Sequence, residues 1–62
     1  MSLKNFLNMD VYMLLSAVNM QLRDEFESVS SLCSYHDIDE EMLKERLQEA
    51  GFTYEKEQNQ FK

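Results

Sequence analysis

The stretch 28-SVSSLCSYHDIDEEMLKERLQEAGF-52 decides the fold. Its punctuation predicts two short helices joined by a tight turn. Ser28 is a good N-cap, with Ser31 three positions on, and it opens a helix over 28–36 that points Leu32 and Cys33 inward. Asp37 tolerates the left-handed turn conformation better than most residues. Asp39 then caps a helix over 39–50, with Glu40 and Glu41 in the first turn, where carboxylates favour the helix dipole. Leu43, Leu47 and Ala50 form its apolar stripe, flanked by Met42 and the aliphatic stem of Arg46. Gly51, the single glycine, stands where a left-handed residue closes a helix.

Working outward, the N-terminal side predicts a longer helix over 10–26. Asp10 is its cap, with Asn8 an alternative. Val11, Leu14, Leu15, Val18, Leu22 and Phe26 recur at helical spacing on one face. On the C-terminal side, Phe52 and Tyr54 alternate with Thr53, and Phe61 follows a polar loop from Glu55 to Asn59, which predicts a hairpin over 52–62. Residues 1–9 are left as an N-terminal segment. The expected fold is one mainly α domain over 1–62. It has three helices in a helix-turn-helix-like order and a short C-terminal β-hairpin, a miniature winged-helix outline.

Composition narrows the functions. Twelve acids against six bases leave a formal charge of −6, which repels phosphate backbones and anionic lipids at long range. Hydrophobic content of 44% is too high for a disordered tail. The longest apolar run, "VYMLL", is far short of the ~20 residues of a membrane span, so no membrane is expected. The N-terminus "MSLKNFLNMD" reads as neither signal peptide nor anchor. Cys33 stands alone, which excludes a disulfide staple and suits the reducing cytoplasm. A chain of this size is marginally stable by itself, and self-association or a partner is the remaining way to add to it.

Two resemblances follow from these residues. Over Ser28–Phe52 the chain resembles the helix-turn-helix of DNA-binding proteins. Cys33 takes the small buried position usual for alanine and Asp37 the turn position usual for glycine. The pattern is permissive, and many trihelical domains that do not bind DNA share it. Over nearly the whole chain, Met13-Leu14-Leu15-Ser16, Asn19, Leu22-Arg23-Asp24, Leu32-Cys33, Ile38-Asp39, Leu47, Gly51, Tyr54 and Asn59-Gln60-Phe61 resemble the short bacterial proteins grouped as domain of unknown function 4250. That resemblance implies a small bacterial cytosolic protein and carries no assigned activity.

The charge of the would-be recognition helix argues against nucleic acid. Asp39, Glu40, Glu41, Glu45 and Glu49 outnumber Lys44 and Arg46, and the end that would read bases is carboxylate. DNA affinity rests on Lys and Arg neutralising phosphates. A solvated acidic face on a trihelical scaffold is the plainer reading. No cofactor or metal is expected. Cys33 and His36 have no second ligand pair. The calcium-like "DIDEE" has Met42 where glycine is needed and Gln48 where a bidentate glutamate belongs. No catalytic residues are expected either, since His36 lacks a paired nucleophile and one glycine cannot build a phosphate loop.

Two sets on the first helix remain as candidates. Met13, Ala17 and Met20 share a second face, opposite the core stripe, where a lone domain should be polar. Flexible methionines around a small residue suit a contact with a protein partner or with a second copy in a homodimer. Alternatively, the N-terminal segment with Leu3, Phe6 and Leu7 folds back over them. Asn19, Arg23 and Asp24 form a polar set near the helix end, for a partner contact or for holding the junction to the next helix. The leading expectation is a non-catalytic interaction module, and the alternative is a DNA-associated regulator acting as a dimer or with a basic partner.

Overall fold

The computed structural model describes residues 3–62. The first two residues of the expected N-terminal segment lie outside the described part. A single 3-10 turn, Phe6–Asn8, precedes three helices: α1 (Val11–Asp24), α2 (Val29–His36) and α3 (Glu40–Gln48). A two-stranded antiparallel hairpin closes the chain, β1 (Tyr54–Glu55) pairing with β2 (Gln60–Phe61). The fold is mainly helical, as the periodicity predicts.

Each helix starts on the residue expected to cap it. The Asp10 carboxylate accepts from the amides of Tyr12 and Met13, both at 3.1 Å. Ser28 Oγ accepts from the Ser31 amide, and Asp39 Oδ1 from that of Met42. Each such bond satisfies a donor that the first helical turn leaves without a partner.

The ends differ in mechanism. Asp37 lies in the left-handed region (φ 58°, ψ 49°), where it turns the Ile38 amide back onto the Cys33 carbonyl at 3.0 Å. Gly51, at φ 90°, repeats the device: its amide donates to Gln48 and that of Phe52 to Leu47, at 2.8 and 3.1 Å. These paired bonds are the Schellman closure, which occupies carbonyls the last turn cannot. The helices are shorter than the spacing predicts. Helix α1 ends at Asp24 rather than 26, because the Phe26 amide slips to the Gln21 carbonyl, five residues back. Helix α3 spans Glu40–Gln48, since Glu49 and Ala50 already belong to the closing turn.

One core joins every element. Leu14, Ala17, Val18 and Leu22 of α1 meet Val29, Leu32 and Cys33 of α2, Leu43 and Leu47 of α3, and Phe61 of β2. Leu3 and Phe6 complete it from the N-terminal segment. Ile38 and Phe52, the residues that follow the two left-handed turns, pack against its edge. Ala50, expected in the buried stripe, is half-buried, and Met42 is exposed.

Hairpin register is set by Tyr54 opposite Phe61 and Glu55 opposite Gln60. Asn59, at φ 53°, makes the tight return of the connecting loop. A two-stranded hairpin is marginal alone, so its attachment to the helices matters, and α1 supplies that attachment.

Candidate functional site

Helix α1 packs on both flanks and leaves a strip between them uncovered. On one flank Asn19 grips the hairpin. Its Nδ2 donates to the Phe61 carbonyl at 3.0 Å, and its Oδ1 accepts from the Phe61 amide at 2.8 Å. A side-chain amide thus takes the place a neighbouring strand would hold beside β2. Gln60 Nε2 answers with a bond to the Asn19 carbonyl. Asn59 Nδ2 reaches the carbonyls of Leu22 and Phe26 at 2.9 and 3.0 Å, while its Oδ1 accepts from Tyr54 Oη at 2.6 Å.

On the other flank Gln21 meets α2. Its Oε1 lies 2.7 Å from Nε2 of buried His36, whose Nδ1 faces the Leu3 amide at 3.4 Å. One partner is an acceptor and the other a donor, so these contacts fit a neutral ring protonated on Nε2. Burial pushes the His36 pKa down, against the opposing field of Glu25. His36 is the last residue of α2, as the helix expected over 28–36 implies, and it ties three segments together.

The N-terminal segment is committed to this same side. Leu3 is 0% exposed and Phe6 is buried. Lys4 approaches Asp37 at 3.9 Å, and the Arg46 guanidinium donates to the Met9 carbonyl at 2.9 Å. Leu3 and Phe6 are spent in the core, while Leu7 stays exposed beside Met42 of α3, and the second face of α1 is left uncovered.

That face is therefore open. Met13 is 63% exposed, Met20 53% and Tyr12 60%. With Ser16 they surround an open depression of about 500 Å³, and Ala17 is part of its lining. Ala17 itself is only 7% exposed, so it is a core residue at the bottom of the strip rather than an exposed member of it. Tyr12 belongs to the strip although the periodicity did not single it out. Its ring also stands edge-on to Phe52 at 6.1 Å.

The polar set on α1 does not act together. Asn19 turns to the hairpin. Arg23 and Asp24 remain in solvent and pair with each other, Nε to Oδ1 at 2.9 Å and Nη2 to Oδ2 at 3.1 Å. Their hydrogen bonding raises the Arg23 pKa and lowers that of Asp24. Neither reaches the turn toward Ser28, so the set does not hold the α1–α2 junction. The connected residues sequence reasoning missed are Gln21, His36, Asn59 and Gln60. Asn19 and Asn59-Gln60-Phe61 already stood out in the family pattern, but nothing in the chain alone linked them.

Along α3 both cations are engaged. Lys44 Nζ is 2.9 Å from Glu40 Oε2, and Ser30 Oγ donates to Glu40 Oε1 at 2.6 Å. These two contacts lower the Glu40 pKa. The partnership with Glu40 in turn raises that of Lys44, which also lies 5.7 Å from the centre of the Tyr54 ring. Arg46 divides its guanidinium between Met9 and Glu49. The Cys33 thiol is buried and pushed up to about 11, by burial first and by Glu40 second, the opposite of an activated nucleophile. Among the described residues no cluster of three metal-ligating side chains occurs, and no helix is long and apolar enough to cross a membrane.

The elements together define a small three-helix domain with a helix-turn-helix-like core and a C-terminal hairpin clamped to α1. The family model named domain of unknown function (DUF4250) matches residues 8–61, and the chain belongs to that family. The match spans α1 to β2, including both ends of the hairpin clamp. The comparisons with curated proteins and with solved structures return no match.

Proposed function

We propose that this chain is a small, non-catalytic protein-interaction module of the cytosol that works through the exposed face of α1. The observation that carries this reading is the exposure of Met13 and Met20 above a buried alanine. The N-terminal segment has apolar residues that could have covered them, and it spends Leu3 and Phe6 in the core instead. Methionines adapt their shape to a partner at little cost, which suits an apolar surface kept for contact. The alternative expectation, a DNA-associated regulator, gains no support from α3, whose two cations serve Glu40, Glu49 and Met9.

The test replaces Met13 and Met20 together with glutamate and compares the variant with the natural chain as bait. Both baits are exposed to bacterial lysate with and without nuclease. Retention that survives nuclease and disappears with the double substitution supports the reading. Association unchanged by the substitution defeats it, and retention that nuclease abolishes returns the DNA alternative. Far-UV circular dichroism checks that the variant folds, which two solvent-facing substitutions should permit.

A further inference from the structure

We propose that the open face of α1 takes a basic amphipathic helix, a partner's helix whose seam is apolar in the middle and carries Lys or Arg at both ends. The inference rests on the reading above and names the chemistry of its partner.

The strip has the geometry of a helix-packing site. Met13, Ser16, Ala17 and Met20 stand at i, i+3, i+4 and i+7. Those four positions frame the hole into which a facing helix sets one side chain. The same residues line the depression on this face. Buried Ala17 is its floor, and the exposed methionines are its two ends. An apolar side chain of the partner enters above Ala17, and the flexible methionines close around it.

The longer row that contains the hole sets the charge. Asp10, Met13, Ala17, Met20 and Asp24 follow one another at spacings of three, four, three and four. That is the seam of two helices packed side by side at a shallow angle. Its middle is apolar and both its ends are carboxylates. The Asp10 carboxylate accepts from the Met13 amide at 3.1 Å, which fixes it at one end of the strip. Asp24 lies one turn beyond Met20, and its side chain is 52% exposed. Arg23 offsets part of that charge, but it is the one base of residues 23–27 against Asp24, Glu25 and Glu27, all exposed. Fourteen residues separate Asp10 from Asp24, roughly 21 Å of helix, so the partner's cations belong about four turns apart.

The same row disfavours the other occupants. A second copy sets carboxylate on carboxylate, Asp10 meeting Asp24 when antiparallel and Asp10 when parallel, and each copy carries a charge of −6. Anionic lipid and nucleic acid meet the same repulsion. A cationic helix gains at both ends of the contact and is steered to it.

The test uses two fluorescently labelled helical peptides with one apolar seam in common, the first with Lys at both ends of the seam and the second with Gln there. Fluorescence anisotropy at low salt should give the Lys peptide a dissociation constant of about 10–100 μM, because one helix face supplies less than a standard interface. The Gln peptide should bind about tenfold more weakly, and the difference should vanish at ~0.5 M salt. Met13→Ser with Met20→Ser should abolish binding of both peptides. Asp10→Asn with Asp24→Asn, which keeps the helix cap, should bring the Lys peptide down to the level of the Gln peptide. Glu41→Gln with Glu45→Gln removes the same charge from exposed positions of α3 and should leave the titration unchanged. Far-UV circular dichroism checks that each variant folds. No binding, equal binding of the two peptides, or an equal loss with the α3 pair overturns the basic helix. So does a dimer of the chain alone in sedimentation equilibrium that Met13→Ser with Met20→Ser dissolves. If the double glutamate variant still loses a captured protein in any of these cases, the interaction reading survives with a partner of other chemistry. If that variant changes nothing, both fall.

Discussion

Asn19 shows how one side chain can hold two pieces of secondary structure together. Replacing it with alanine leaves both the amide and the carbonyl of Phe61 without their partner beside a buried ring. The expected cost is about 1–3 kcal/mol, read from urea unfolding, with loss of the hairpin's amide protection in hydrogen exchange. His36 makes stability depend on pH. Its folded pKa is depressed below the ordinary 6.5 by burial, so the neutral ring's contribution is complete above about 6.5. It is lost as pH falls through the lower folded value, because the unfolded chain then binds the extra proton. Urea midpoints measured from pH 8 to pH 5 should fall on the acid side, and a His36→Gln variant should flatten that dependence. Cys33, with its thiol near 11, should react with Ellman's reagent only as fast as the core opens. Addition of denaturant should then accelerate the labelling steeply.

At the scale of elements, the two left-handed closures set where α2 and α3 stop and where Ile38 and Phe52 re-enter the core. Gly51 has nothing within 4 Å of where a Cβ would stand, so substitution there is penalised by backbone conformation alone. Gly51→Ala should cost about 1 kcal/mol, seen as a lower melting temperature without change in the folded far-UV spectrum. Caps and closures were legible in the chain because each is a local event. Asp10, Ser28 and Asp39 bond amides two or three residues away, and a glycine after an apolar stripe has few other roles. Helix lengths were less legible. The slip of Phe26 onto Gln21 and the early turn at Glu49 depend on how the next segment packs, which spacing does not express.

At the scale of the whole molecule, 62 residues imply a stability of about 3–9 kcal/mol, at about 0.05–0.15 kcal/mol per residue. Among the described residues, Leu3, Leu14, Leu32, Leu43, Leu47 and Val18 are essentially free of solvent contact. Truncating a buried leucine typically costs about 2–5 kcal/mol, a large share of that total. Leu47→Ala should therefore leave the chain largely unfolded at 37 °C by circular dichroism. Leu3→Ala should be nearly as damaging, though it lies outside every helix, because the N-terminal segment is part of the core.

By itself the sequence determined the three helices, their caps, the hairpin, the acidic face of α3 and the existence of a second apolar face on α1. Those properties follow from local bonding, from periods of 3.6 and 2, and from charge, all of which act over a few residues. Only the tertiary structure decided which way the N-terminal segment folds. Sinking Leu3 and Phe6 into the core buries more apolar surface than laying them across a helix exterior could. It also decided that Asn19 serves the hairpin, through bonds spanning 42 residues that no local pattern encodes. And it moved Ala17 into the core while leaving Met13 and Met20 in solvent. Which side of a helix stays bare depends on what packs against its two flanks.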